Sequence, residues 1–330
     1  MNKKSLLILL FFLAFPFFDR NQYHLDVLVN AGIYAILVLG LNVMTGYCGL
    51  LNLGYAAFFA AGAYTYALLN VNWGWSFWMS LPACIACAGA LGLVFGSCAL
   101  RLRGDYLAVV TLGFGEIVRI ALNNLDSFTG GPNGLSVKHP VLGFAGKGFD
   151  FGINSIPYYY LTLSAIMLVA AMAYRLSLSR LGRAWIAIKE DEVAAACMGI
   201  NTGKLKLFAF CVGCAIAGVS GWLFAGKQGF VSPESFDFIT SIMIAAMLVL
   251  GGIGSISGCI VGAAALTIIP EVLQPLQQYR MFLFGAVMIG MMLFRPQGLL
   301  GGARILEELR PESERVRQEE DEVLSEDQRQ

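Results

Sequence analysis

Glu116 and Arg119 stand three residues apart inside the otherwise apolar run Tyr106 to Leu125. On a helix that spacing puts both on one face. An ionised side chain at the centre of a membrane helix costs about 2.5–3.5 kcal/mol on insertion scales, so the pair must neutralise itself and face protein or water. A structural ion pair is the first reading, and a place along a translocation path is the second. Asn42, Asn52, Tyr55, Thr111, Asn123 and Asn124 add polar atoms in or near the apolar runs. Interhelical hydrogen bonding needs such groups and so does a transport route, and residue type does not separate the two.

Other constellations carry less. Cys84-x-x-Cys87 and Cys211-x-x-Cys214 have the spacing of metal or redox motifs, but no His accompanies them and both lie in apolar runs. There a free thiol acts as a small hydrophobe, so helix packing is the better account. His24 and His139 are the two imidazoles, too few to assemble a Ser-His-acid triad or a metal dyad. A carboxylate-only enzyme stays open. Gly221-Trp-Leu-Phe-Ala-Gly226-Lys227 mimics a phosphate-binding loop, yet Gln228 replaces the magnesium-binding hydroxyl and no strand precedes it. The chain is therefore not expected to bind ATP.

The elements that must position these residues are membrane helices. Hydrophobic residues make up 57% of the 330-residue chain and charged residues 13%, against about 45–50% and 25% in soluble domains. Runs long enough to span a bilayer lie at Leu25 to Gly46, Cys48 to Leu69, Trp75 to Leu100, Tyr106 to Leu125, Ile156 to Tyr174 and Leu205 to Ala225. Three further stretches are Ser5 to Phe18, Ile239 to Ile269 with a break at Gly251 to Ser255, and Met281 to Phe294. With the broken stretch taken as two, the expectation is an all-α, polytopic bundle of about ten spans. Continuous apolar runs exclude the alternating pattern of a membrane barrel.

The apolar N-terminus after Lys3-Lys4 offers no small-x-small cleavage site and is expected to stay as the first helix. Arg101, Arg103, Arg175, Arg180, Arg183, Lys189, Lys204, Lys206 and Arg295 then gather on one side with Lys3 and Lys4, leaving Arg20, Lys138, Lys147, Lys227 and Arg280 on the other. The positive-inside rule makes the first side, and both termini, cytoplasmic. Residues 1–302 form the expected transmembrane domain, with a cytoplasmic loop at about 176–204. Residues 303–330 form a charged tail of low order. A net charge of zero and no basic block leave nucleic acid out as a partner.

The loop from Ser179 to Asn201 is not a plain linker. Glu190, Asp191 and Glu192 suit a helix N-terminus, the alanines that follow favour helix, and Gly199 suits a stop. A small-faced helix bounded by charge can seat in another protein's groove.

This loop resembles the Glu-Ala-Ala, three residues, Gly signature of ATP-binding-cassette importer permeases. Ala194, Ala195 and Gly199 match, whereas Val193 occupies the glutamate position and Glu192 lies one residue earlier. The segments Gly46 to Phe59 with Gly62 to Thr65, Arg101 to Tyr106, Thr111 to Arg119, Thr129 to Leu135, Val249 to Ser255 and Arg295 to Leu300 resemble LivM-type permeases of branched-chain amino acid importers. The resemblance covers about residues 42–301, and it implies a multi-pass protein of the cell inner membrane with no cofactor of its own and no enzymatic activity. Implied partners are a sister LivH-type permease, two cytoplasmic ATPases that carry ATP and magnesium, and an extracytoplasmic amino-acid-binding protein, all around membrane lipid. Arg183, Glu190, Asp191, Glu192, Ala195 and Gly199 are the expected coupling residues, and Asn52, Tyr55, Thr111, Glu116, Arg119 and Asn123 the expected path or intramembrane contacts. Leucine, isoleucine and valine are the implied substrates, with urea or short amides as alternatives. An ion-coupled secondary transporter is the competing class, but it would leave the docking loop without a role.

Overall fold

A computed structural model describes residues 21–100, 102, 104–142, 149–150 and 155–272, with residues 16, 285, 289, 290, 298 and 299. The expected spans Ser5 to Phe18 and Met281 to Phe294, and the tail 303–330, lie outside the described residues apart from those single positions. What is described is helical. In chain order the helices are α1 (Gln22–Leu41), α2 (Ala56–Trp73), α3 (Phe77–Ala99), α4 (Asp105–Asn124), α5 (Ser155–Leu178), α6 (Arg180–Glu190), α7 (Glu192–Cys197), α8 (Thr202–Gln228), α9 (Phe238–Gly251) and α10 (Ile256–Val272). Five described segments are long and apolar enough to cross a membrane: Gln22–Tyr47, Phe77–Ala99, Tyr106–Asn124, Ser155–Leu178 and Thr202–Gln228. Two-stranded ribbons join Leu135–Ser136 to Phe230–Val231 and Val141–Leu142 to Phe149–Asp150.

The hydrophobic helix α1 is the axis of the bundle. Ile36, Leu37, Val38 and Leu39 follow one another in sequence and all are fully buried, so every side of the helix is covered, as continuous apolarity demands. Helix α8 packs against α1, α2 and α3, while α5 and α10 cover the rest of α1 and α9 leans on α10. Helix α4 stands at the margin, resting on α2 and on the turn Pro233–Phe236.

One expected boundary shifts for a physical reason. The run from Cys48 does not continue as helix: α1 passes into a π-helical segment, Asn42–Tyr47, and α2 starts at Ala56. Side chains replace the helical ladder in between. Thr45 Oγ1 donates to the Leu50 carbonyl at 2.8 Å, Asn52 Oδ1 accepts from Gly54 N–H at 3.0 Å and Thr111 Oγ1 accepts from Leu53 N–H at 3.0 Å. The stretch Ile239 to Ile269 does break as expected, with α9 ending at Gly251 and α10 starting at Ile256.

Small residues set the helix spacing. A Cβ on Gly62 would lie 2.4 Å from the Gly218 carbonyl oxygen, and one on Gly218 would lie 2.7 Å from that of Cys84. Helices α2, α3 and α8 thus touch backbone to backbone, the use of small residues common between membrane helices. Both paired-cysteine motifs serve this contact: Cys211 donates its thiol to the Gly89 carbonyl at 3.3 Å, Cys84 is buried, and Cys214 fills the space over Gly92. The phosphate-loop mimic lies inside α8, where Gly221 abuts the Phe59 carbonyl and Gly226 the Phe77 ring.

Gly218→Leu is expected to push α3 from α8 and to lower stability by at least about 1–3 kcal/mol, the usual cost of overpacking. Gly203→Ala, with nothing within 4 Å of its added Cβ, is expected to be neutral or stabilising by up to about 1 kcal/mol. Thermal unfolding of the detergent-solubilised variants checks both, and equal midpoints would contradict the packing account.

Candidate functional site

The polar loop between α5 and α8 folds into two helices whose starts are set by caps. Ser179 Oγ accepts from Gly182 N–H at 3.2 Å and opens α6. Asp191 then opens α7, its Oδ1 accepting from Val193 N–H at 2.8 Å and Ala194 N–H at 3.0 Å. This is the helix-opening role that Ser and Asp fill because their oxygens satisfy free amide donors. Gly199, at φ 84°, stops α7 in the left-handed region, and Ile200 N–H reaches back to the Ala195 carbonyl at 3.1 Å. Helix α6 is not among the sequence expectations, which place a helix only in the second half of the loop.

The loop is fastened to the bundle. Trp185 is fully buried, donates Nε1–H to the Leu205 carbonyl at 2.9 Å and stacks on Phe208. Glu192 pairs with Lys206 at 2.7 Å, and Ala195 is buried. Lys189 Nζ donates to the Gly46 carbonyl at 2.9 Å. Among the predicted coupling residues, Asp191, Glu192, Ala195 and Gly199 thus shape and anchor α7. Arg183 and Glu190 are exposed, and Arg183 Nη1 reaches the Leu178 carbonyl at 3.4 Å.

The outward face of the loop consists of other residues. Val193 and Met198 are 62% and 84% exposed, and Ile186, Ala194, Ala196 and Cys197 are exposed beside them. This small apolar face ringed by charge has the composition of a docking surface. Cys48, just beyond the π segment, lies within electrostatic reach of Lys206 and Glu192. Burial pushes its thiol up to about 12, against a lowering effect of Lys206 and with a further rise from Glu192.

The second set of predicted residues lies around α4. Arg119 donates Nε–H at 3.0 Å and Nη2–H at 2.9 Å to the same oxygen of Glu116. Among the described residues nothing fully covers the pair: the side chains are 36% and 31% exposed. Asn52 and Thr111 hold the turn before α2, and buried Tyr55 donates its hydroxyl to the Gly213 carbonyl at 2.7 Å. Asn123 sits near the far end of α4, half-buried and apart from this group. A crevice between α4, the turn and the start of α9 is lined by Leu53, Gly54, Gly115, Glu116, Asp237 and Ser241.

Ser241 and Asp237 were not foreseen as partners of this region. Ser241 Oγ accepts from Ala56 N–H at 3.1 Å, across 185 residues, and Asp237 Oδ1 accepts from Thr240 N–H at 2.8 Å. The second was legible as Asp-x-x-Thr before an apolar run, whereas the first rests on tertiary structure. Among the described residues no group of three or more His, Cys, Asp or Glu could hold a metal.

Comparison with known proteins places the chain. Residues 23–292 match the family described as "Branched-chain amino acid transport system / permease component". The chain is 44% identical over 320 residues to the high-affinity branched-chain amino acid transport system permease protein LivM of Escherichia coli (strain K12), covering 91% of this chain and 75% of that one. The LivH permease protein of the same system and strain is 27% identical, covering 86% and 93%, and the autoinducer 2 import system permease protein LsrC of Yersinia pestis (strain Pestoides F) is 27% identical, covering 88% and 82%. No solved structure matches the chain. A multi-pass helical bundle with a capped, bundle-anchored polar loop, matched to one family model over most of its length, belongs to the branched-chain amino acid transport system permease family.

Proposed function

We propose that the chain is one of two membrane-spanning subunits of an ATP-binding-cassette importer for leucine, isoleucine and valine in the cell inner membrane. The observation that carries this reading is the 44% identity to the LivM permease protein across 91% of the chain. The complex has a sister LivH-type permease, two cytoplasmic ATPases holding ATP and magnesium, and an extracytoplasmic binding protein. The chain crosses about ten times with both termini in the cytoplasm. The positions of Arg180, Arg183, Lys189, Lys204 and Lys206 around α6 and α7, against Lys138 and Lys227 at the other end of the bundle, support that orientation.

In this reading the ATPases seat against the face made by Ile186, Val193, Ala194 and Met198, and α6 and α7 move as their pair closes. Asp191 and the Glu192–Lys206 bond keep α7 in register with α8, so the motion enters the bundle. The route for substrate runs along the margin of α4. Its exposed Glu116–Arg119 pair belongs against water or the sister permease, because in lipid those charges would cost several kcal/mol.

Two measurements test this. Uptake of labelled leucine and urea is compared in cells carrying wild type or Glu192→Lys plus Gly199→Pro, which breaks the Lys206 pair and the stop of α7. Leucine uptake is expected to fall at least about tenfold while the chain still inserts, with urea not transported. Unchanged leucine uptake would sink the importer reading and promote the ion-coupled one.

The exposed Cys197 thiol also serves as a docking probe. Maleimide is expected to label it in inside-out vesicles stripped of ATPase and to label it at least about fivefold less once the ATPases are bound. Cys48, buried with its thiol raised to about 12, is expected to stay unlabelled in both. Equal labelling of Cys197 with and without ATPase would remove α7 from the docking surface.

A further inference from the structure

Three segments distant in sequence meet where α1 gives way to the π-helical turn. The first is α6, whose Lys189 Nζ donates to the Gly46 carbonyl at 2.9 Å. Gly49, at φ 73°, keeps the backbone under Lys189 clear: a Cβ there would lie 3.2 Å from Lys189 Cγ. The second is the π segment Asn42–Tyr47 itself. The third is the break between α9 and α10, where Gly254 N–H donates to Asn42 Oδ1 at 2.8 Å.

Gly46 is the point where these contacts join. A Cβ on it would fall 2.1 Å from Asn42 Oδ1 and 2.9 Å from Gly254 N. Gly46 thus holds Lys189 through its carbonyl and presses through its Cα side on the Asn42–Gly254 bond. The bond to Gly254 fixes which way the Asn42 amide points. Its Nδ2 is then buried with no hydrogen-bond partner among the described residues. A buried donor left unpaired costs free energy that a small rearrangement can recover.

The parts on either side suit a joint. π-helical turns interrupt the i to i−4 ladder and occur often at functional sites. Across the joint, Gly252 at φ 115° and Gly254 at φ 91° adopt backbone angles that favour glycine, so no side chain stiffens the α9–α10 connection at these two positions. Leu299 N–H donates to the Leu250 carbonyl at 2.9 Å on the other side of that connection, so displacement of the break also reaches the chain beyond α10.

We infer that Lys189 and Asn42 are positioning residues that transmit movement of the cytoplasmic loop, through the π-helical turn and Gly46, to the break between α9 and α10. The inference rests on the importer reading, in which ATPases move α6 and α7. Lys189 acts through its hydrogen bond to Gly46 and touches no substrate, and Asn42 acts through Gly254. Coupling between two sites needs an element that both bias, and the π turn is held from both directions.

The test uses the whole complex, with sister permease, ATPases and binding protein, in proteoliposomes. Leucine uptake and ATP hydrolysis are measured for wild type, Lys189→Met, Lys189→Arg, Asn42→Leu and the Lys189→Met/Asn42→Leu double variant. All are expected to retain the ATPases. Leucine moved per ATP is expected to drop about tenfold in Lys189→Met and in Asn42→Leu, to recover to within about twofold in Lys189→Arg, and to fall no further in the double variant.

A Lys189→Met complex whose uptake per ATP matches wild type would overturn the inference. So would one that sheds its ATPases, which would place Lys189 in docking instead, and so would single effects that multiply in the double variant. Because Lys189 is exposed, its two substitutions decide the matter even where Asn42→Leu does not insert. A wild-type chain that binds no ATPase at all would instead overturn the importer reading, and this inference with it.

Discussion

A helix that stops inside a membrane protein leaves backbone donors and acceptors that lipid cannot satisfy, so the protein must supply their partners. Among the described residues the bundle has two such interruptions, between α1 and α2 and between α9 and α10, and Thr45, Asn42, Asn52, Thr111 and Ser241 all bond at or near them. Thr45, Asn52 and Thr111 satisfy the first, while Asn42 and Ser241 tie the two together by accepting from Gly254 N–H and Ala56 N–H. The apolar rest of the bundle can then pack by close backbone approach alone, as Gly62 and Gly218 do. The two interruptions are thus hydrogen-bonded to each other directly, through Asn42 and Gly254.

The same constraint explains what was and was not legible in the sequence. Apolar runs gave the existence and order of the helices, since α1, α3, α4, α5 and α8 need only length and hydrophobicity. The start of α2 was placed eight residues too early, at Cys48 rather than Ala56. Gly49 and Gly54 in Cys48 to Tyr55 are local signals against helix, and Gly49 takes φ 73°. The turn is held locally by Thr45 and Asn52 and also by Thr111, more than fifty positions on, and a single-sequence pattern does not contain that last partner. In the loop, Asp191 and Gly199 were legible because capping is local. Lys189 was not, because its partner Gly46 lies 143 residues away.

The predicted path residues divide by what their polar atoms do. Asn52, Tyr55 and Thr111 bond within the chain: Asn52 and Thr111 accept from backbone N–H groups of the turn before α2, and Tyr55 donates to a carbonyl inside α8. Their residue types are equally suited to a transport route, so the sequence could not sort them. Glu116 and Arg119 differ, because they satisfy each other and remain a third exposed. Among the described residues nothing fully covers that pair, and α4 and α5 are the least buried of the apolar spans, so keeping the charges from lipid calls for cover from beyond those residues.

That requirement bears on how loop motion could matter to α4. Gly54 and Gly115 touch closely: a Cβ on Gly54 would lie 1.8 Å from the Thr111 carbonyl oxygen, and one on Gly115 would lie 3.1 Å from the Gly54 Cα. The turn before α2 is therefore wedged against the face of α4 one helical turn from Glu116. The same turn follows the π segment that Lys189 grips, so a shift of α6 has a short path of close contacts to the charged margin of the bundle. Close-packed interiors pass displacement on rather than absorbing it. A route along α4 would then be opened by the rigidity of the packing around Gly54, not by flexibility of α4 itself.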